Sequence, residues 1–174
     1  TFLADGEQEA GHLSYAELDC RARAVAAEIQ AHGGMGERVV LLFHPGLDFI
    51  VGLYGCLYAG ALPVPVNPPD PLRLSRTLPR LQAVLSDAQA RLLLGSEEVL
   101  QYVSGGIADA SDADRLTLEA TRQGVEDRWR PAGEDPQQLA LLQYTSGSTG
   151  PPRGILLSHA NLFHSVAGMH REDM

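Results

Sequence analysis

The residues best suited to chemistry in this sequence form one polar segment near its end, residues 145–154. The segment combines four hydroxyl side chains, three glycines, two prolines and one arginine, which are Thr145, Ser146, Gly147, Ser148, Thr149, Gly150, Pro151, Pro152, Arg153 and Gly154. Glycine lets backbone N–H groups approach an anion closely, and hydroxyl groups add donors without a competing negative charge. The forked guanidinium of Arg153 matches phosphate oxygens. These residue types favour the binding of an oligophosphate.

The distribution of charge points to the same segment. The chain of 174 residues carries 13 basic and 22 acidic side chains, for a formal net charge of −9. Residues 137–170 nevertheless contain no Asp or Glu, whereas the chain average would place about four there. An acidic chain is therefore free of carboxylates around its glycine- and hydroxyl-rich segment, as an anion site requires.

Two alternatives for this segment can be weighed from the sequence. Glycine- and serine-rich stretches are commonly flexible linkers, but here a buried-strand pattern over 139–144 precedes the segment and strand character resumes at 155–157. The P-loop of kinases and GTPases needs a second glycine five positions after the first, followed by lysine. Those positions hold Pro152 and Ile155, so the P-loop is excluded.

Composition excludes several classes of protein. With 44% apolar and 20% charged residues, the chain can build a core, and we expect no membrane span. A net charge of −9 argues against a nucleic-acid binder. Cys20 and Cys56 lie in apolar helical patterns with no partner at ligand spacing, which predicts structural core thiols in a reducing, cytoplasmic location and no metal site. All basic residues are arginine, so none of the 174 residues can act as a catalytic lysine.

The pattern of elements that must position the segment is that of an α/β protein. A capping box at Ser14 and Glu17 begins a helix, and the predicted elements then alternate. They are a strand at 38–43, a helix at 47–58 closed by Gly60, a strand at 62–66, a helix at 76–87 with Pro79 in its first turn, and a strand at 91–94. This alternation predicts βαβ units around a largely parallel sheet flanked by helices on both faces.

Residues 104–136 have only weak periodicity and many acidic side chains. We expect a weakly structured surface excursion there, with at most a short strand and helix and no chemistry. A helix capped by Ser158 should follow the polar segment. The chain begins at Thr1 and stops soon after an apolar segment, so we expect residues 1–174 to be part of one domain of a longer protein.

Three stretches in the right order resemble motifs of the adenylate-forming (AMP-binding) superfamily, which includes acyl-CoA synthetases, amino-acid adenylation domains and luciferases. Residues 144–154, followed by Leu157-Ser-His-Ala-Asn-Leu162, resemble its phosphate-binding signature. Leu13-Ser-Tyr-Ala-Glu-Leu18 and Leu57-Tyr-Ala-Gly-Ala-Leu-Pro-Val-Pro-Val66 resemble its first two core motifs. The resemblance implies that the chain is the N-terminal part of the large domain of such an enzyme.

Within the superfamily the likeness is to fatty acyl-AMP ligases. Gln143-Tyr144, the proline-rich run 67–73 and the following run 76–88 resemble that branch. The resemblance implies activation of a fatty acid by ATP and Mg²⁺ to an acyl-adenylate, with release of pyrophosphate. The acyl group would then pass to the phosphopantetheine thiol of a carrier protein. One departure is Arg153, which stands where the family usually has Lys.

Alternatives remain open at this point. The parent could be an acyl-CoA synthetase or an amino-acid adenylation domain, and the piece itself could be a non-catalytic anion-binding module. In the family, the catalytic lysine and the adenine-binding segments lie further along the chain. We therefore expect no catalytic residue within these 174 residues and no adenylate formation by this piece alone.

Overall fold

The computed structural model describes residues 1–3, 5–107, 112–121, 124–133, 135–145 and 152–172. The strands are β1 (Phe2–Leu3), β2 (Glu9–Gly11), β3 (Arg38–Leu42), β4 (Leu62–Val66), β5 (Leu92–Gly95), β6 (Asp114–Thr117), β7 (Leu139–Thr145) and β8 (Arg153–Ser158). The helices are α1 (Tyr15–Ala31), α2 (Leu47–Ala59), α3 (Leu74–Ala88), α4 (Glu97–Ile107) and α5 (His159–Glu172), with short 3-10 turns at Pro71–Arg73 and Glu126–Arg128.

The centre of the fold is a four-stranded sheet in the order β4-β3-β5-β6. All three strand pairs are parallel, with Val40 of β3 opposite Val64 of β4 and Leu93 of β5. Successive strands are joined by α2, α3 and α4, so the predicted alternation of βαβ units around a parallel sheet is confirmed. The pair β1 and β2 forms a separate antiparallel sheet near the start of the chain.

Helices cover both faces of this sheet, because alternate side chains of each strand point to opposite sides. Val39 and Leu41 belong to a core cluster with α1 and α2. Val40 and Leu42 belong to a second cluster with α3 and α4. The strands are therefore apolar at nearly every position, as the sequence pattern over 38–43 predicts.

Local signals set the ends of the first two helices. Ser14 and Glu17 form the predicted capping box, with the Glu17 N–H donating to Ser14 Oγ at 3.2 Å and the Ser14 N–H donating to Glu17 Oε2 at 2.8 Å. Gly60 ends α2 in the left-handed region, with φ of 69°, which glycine adopts without strain. Its N–H donates to the carbonyl of Leu57.

Helix α3 begins earlier than the sequence predicts. It starts at Leu74, so Pro79 lies inside the helix and not in its first turn, which corrects that prediction. Pro79 has no N–H, so the carbonyl of Ser75 lacks its usual helical partner there. The helix forms nonetheless because Leu81, Val84 and Leu85 bury one face against the sheet.

The range 104–136 contributes more to the fold than the predicted surface excursion. Helix α4, which the sequence analysis missed, extends into it, and β6 is the fourth strand of the sheet. Trp129 stacks on Tyr58 with ring centroids 5.3 Å apart, and its Nε1–H donates to the Tyr58 carbonyl at 2.6 Å. Leu116 and Val125 are buried. The described part of this range therefore packs on the domain.

Within the described ranges, no helix combines the length and the apolar character needed to cross a membrane.

Candidate functional site

The polar segment 145–154 connects the two strands of a β-hairpin. β7 and β8 pair antiparallel, with Thr145 opposite Arg153 and Tyr144 opposite Gly154. β7 lies against the core on one face only, since Ala140 and Leu142 are buried while the alternate residues Leu139, Leu141 and Gln143 are more exposed. The expectation of a buried strand over 139–144 is thus met on alternate residues, and β8 is exposed from Arg153 to Leu156.

Two candidate phosphate-binding residues that are eight positions apart meet at the base of this hairpin. The Thr145 Oγ1–H donates to the Arg153 carbonyl at 3.5 Å. The Arg153 side chain is exposed and forms no ion pair with any residue that the structure describes. Thr145 and Arg153 are cross-strand partners, so their side chains start from neighbouring positions on one face of the hairpin.

Gly154 has a packing reason to be glycine. A Cβ at this position would lie 2.8 Å from Leu142 Cδ1 and 3.4 Å from the ring of Tyr144, on the paired strand. Contacts that short force a neighbour to move. The geometry thus gives Gly154 a role in the hairpin that does not depend on its predicted contact with phosphate.

The other candidate residues follow Thr145 in the sequence. Ser146, Gly147, Ser148, Thr149 and Gly150 lie outside the described residues. Their place along the chain is fixed by the flanking Thr145 and Pro152, which belong to the described part. Their contact with phosphate stays a prediction.

Tyr144, at the root of the segment, makes a contact that sequence reasoning missed. Its O–H donates to Asp87 Oδ2 of α3 at 2.5 Å. Partial burial, followed by this hydrogen bond to a carboxylate, raises the pKa of the Tyr144 phenol above its usual range. The phenol therefore stays protonated, and remains a donor, at neutral pH.

A cleft lies next to the hairpin, at the carboxyl ends of β3 and β4. Its volume is about 710 Å³. Its lining comes from the strand ends, the proline-rich loop, α3 and β7, and includes Phe43, Val66, Arg76, Arg80, Gln143 and Tyr144. Ligands of open α/β sheets bind at the carboxyl ends of the strands, so the hairpin and the cleft share the edge where a substrate is expected.

The helix after the hairpin begins as the sequence predicts. Ser158 and Asn161 cap α5 reciprocally: the Asn161 N–H donates to Ser158 Oγ at 3.3 Å, and the Ser158 N–H donates to Asn161 Oδ1 at 2.9 Å. The His159 N–H donates to the Gln138 carbonyl at 3.0 Å. The last of these bonds links the residue after β8 to the residue before β7.

The donor set at the hairpin suits phosphate more than a protein-bound metal. In the part of the chain that the structure describes, no group of three or more His, Cys, Asp or Glu could hold a metal ion. Mg²⁺ commonly keeps several waters and binds through substrate phosphates with few protein carboxylates. The residues present are thus compatible with a magnesium–nucleotide complex whose metal is held mainly by phosphate.

Comparison with known proteins gives a consistent family. The model of the AMP-binding enzyme family matches residues 1–174. The medium-chain-fatty-acid–[acyl-carrier-protein] ligase JamA of Moorena producens is 42% identical over 168 residues, which are 94% of this chain and 28% of that protein.

Two solved structures have a similar fold. The fatty acyl-adenylate ligase from L. pneumophila, in complex with acyl adenylate and pyrophosphate, superimposes with a TM-score of 0.81 at 32% identity, covering 92% of this chain and 28% of that one. McyG A-PCP, complexed with phenylalanyl-adenylate, gives a TM-score of 0.83 at 26% identity, covering 94% of this chain and 30% of that one.

Each of these matches covers only part of the known protein. The chain spans less than a third of the length of JamA and of both solved structures. The family model, by contrast, matches the whole chain, and the fatty acyl ligases supply both a relative and a structural neighbour above 30% identity. The chain therefore belongs to the AMP-binding enzyme family, and within that family it is similar to fatty acyl-AMP ligases.

Proposed function

We propose that this chain supplies the phosphate-binding hairpin of an enzyme that activates a fatty acid with ATP to an acyl-adenylate. The observation that carries the proposal is the pairing of Thr145 with Arg153 at the base of the hairpin, within a stretch of the sequence, residues 137–170, that contains no Asp or Glu. In the reaction a carboxylate oxygen attacks the α-phosphorus, and the bond to the departing pyrophosphate breaks.

The role of the hairpin in that reaction is electrostatic. Negative charge builds on the pyrophosphate as it leaves, and fixed donors and cations aimed at that charge lower the barrier. Arg153 would contact the β- and γ-phosphates through its guanidinium, with the hydroxyl and backbone donors of 145–150 beside it. Mg²⁺ would neutralise phosphate charge when bound.

A carrier-protein thiol is our proposed acceptor of the acyl group. The support is the similarity to JamA, which is named as a ligase of a medium-chain fatty acid and an acyl-carrier protein. Cys56 is buried as predicted, whereas Cys20 is exposed and is not the core thiol that the sequence predicts. A reducing, cytoplasmic setting stays part of the proposal. An amino-acid adenylation domain is the alternative that the likeness to McyG A-PCP favours.

The test is pyrophosphate release by the full-length parent with ATP and a panel of fatty acids and amino acids. Arg153→Ala should lower kcat/KM for ATP about ten- to a hundredfold, because charged hydrogen bonds to phosphate are lost. Arg153→Lys, which restores the residue usual in the family, should retain most of the activity.

Arg115→Ala is the matched control, since Arg115 is exposed on the edge strand β6. Full activity of the Arg153→Ala enzyme would contradict the proposed role of Arg153. Product analysis with a carrier protein and with CoA separates the proposed acceptor from the acyl-CoA synthetase alternative, and selective activation of amino acids would contradict the fatty-acid assignment.

A further inference from the structure

The hydrogen bond between Tyr144 and Asp87 joins the root of the hairpin loop to a helix on the sheet. Tyr144 directly precedes the segment 145–154, and Asp87 lies in the last turn of α3, 57 positions earlier. The two side chains are linked through Asp87 Oδ2 at 2.5 Å. This contact ties the loop to an element that is distant in sequence.

Helix α3, which carries Asp87, is firmly packed on the sheet. Leu81, Val84, Leu85 and Ala88 on its inner face are each no more than 2% exposed. The hairpin, in contrast, is anchored on one side only, since β8 is exposed from Arg153 to Leu156 while β7 contributes Leu142 and Tyr144 to the core. The position of the loop therefore depends on β7 and on what holds its end.

We infer that Tyr144 and Asp87 are a positioning pair, whose hydrogen bond holds the hairpin in the arrangement that accepts the phosphates of the nucleotide. The inference rests on the proposed function. Neither residue needs to touch the nucleotide, because Tyr144 acts through the adjoining Thr145 and the opposite Gly154 and Arg153. The Tyr144 phenol stays a donor at neutral pH, so it can donate this hydrogen bond to the Asp87 carboxylate there.

A positioning role has a distinct kinetic signature. If the binding-competent hairpin is only a fraction of the population, the apparent affinity for ATP falls by that fraction, while bound ATP reacts as before. Loss of the hydrogen bond should therefore raise KM for ATP and leave kcat nearly unchanged.

The experiment uses three variants of the full-length parent and measures KM for ATP and kcat for pyrophosphate release. Tyr144→Phe keeps the ring and removes the donor, and Asp87→Ala removes the acceptor; each should raise KM about three- to tenfold. Asp87→Asn keeps an acceptor oxygen and should stay near the wild-type KM. The double variant Tyr144→Phe/Asp87→Ala should be no worse than either single change, because both remove the same bond.

Amide hydrogen exchange of β7 and β8 without nucleotide gives a second readout. Exchange should quicken in Tyr144→Phe and Asp87→Ala but not in Asp87→Asn. An unchanged KM in Tyr144→Phe, an Asp87→Asn enzyme as impaired as Asp87→Ala, or unaltered exchange would each overturn the inference. If Arg153→Ala is also without effect on turnover, the failure lies in the proposed function; if Arg153→Ala is impaired, it lies in the positioning pair.

Discussion

At the scale of single residues, spacing identifies Arg153 and Thr145, and geometry adds Tyr144 and Asp87. The first two belong to one polar segment, so their types and order are enough to predict an anion site. The second two are 57 positions apart and have no shared pattern. Gly154 differs from both pairs. Its close neighbours Leu142 and Tyr144 leave little room for a side chain, so packing alone accounts for a glycine at this position.

The capping residue Glu17 offers a test of pH dependence. Glu17 Oε2 accepts hydrogen bonds from the Oγ–H and the N–H of Ser14, at 2.7 and 2.8 Å. These bonds, the side-chain one foremost, lower the pKa of the Glu17 carboxyl below its ordinary value of 4.5. A lowered folded-state pKa means that the carboxylate stabilises the fold above pH 4.5 and loses this effect as pH falls through the folded-state pKa.

The measurement is urea unfolding at neutral pH and near pH 3. The free-energy advantage of the wild type over Glu17→Ala should be present at neutral pH and shrink in acid. Glu17→Gln is the matched control, because Gln can complete a capping box without titrating, and its advantage over Glu17→Ala should not depend on pH. An equal wild-type advantage at both pH values would contradict the assigned role of the carboxylate.

At the scale of elements, the helices and strands that carry local signals follow the sequence closely. The capping box begins α1, Gly60 ends α2, and Ser158 caps α5. Helix α4 had comparable signals that the sequence analysis passed over, since Ser96 Oγ accepts from the Val99 N–H at 3.4 Å and two glutamates occupy its first turn. The start of α3 before Pro79 could not be predicted from the local sequence. Burial of the inner face of the helix offsets the destabilising effect of a proline in the helix interior.

Close packing of α1 against α2 gives a prediction at this scale. A Cβ at Gly55 would overlap Val25 Cγ1 and lie 2.7 Å from Val25 Cβ, an atom that cannot move without the backbone of α1. Gly55→Ala should therefore destabilise the fold by about 1–3 kcal/mol.

Gly105 in α4 is the matched control, because a Cβ there meets nothing within 4 Å. Gly105→Ala should stabilise the fold by about 0.5–1 kcal/mol through helix propensity and reduced chain entropy. Thermal unfolding of both variants checks the pair, and equal effects of the two substitutions would show that the α1–α2 contact is not tightly packed.

At the scale of the whole molecule, the sequence predicts the class of fold but not the contacts that assemble it. Alternation of apolar strands and helices is enough for a parallel sheet, because parallel strands require crossover connections. The order β4-β3-β5-β6 and the packing of the described residues 112–121 and 124–133 depend on pairs far apart in the chain. Gln30, for example, exchanges hydrogen bonds with the backbone of Arg130, 100 positions away, at 2.8 and 3.0 Å.

The same distinction holds for the site. The sequence alone predicts the polar segment. The pairing of Thr145 with Arg153 and the hydrogen bond from Tyr144 to α3 are seen only in the three-dimensional structure. The chain belongs to the AMP-binding enzyme family, and contact between this hairpin and a nucleotide stays our proposal.

The most direct test of the proposed function is a structure of the full-length parent bound to a non-hydrolysable ATP analogue with Mg²⁺. The β- and γ-phosphates should lie within hydrogen-bonding distance of the 145–154 segment, with the Arg153 guanidinium contacting at least one of their oxygens. Phosphates bound elsewhere, with Arg153 and the hairpin facing solvent, would contradict the account.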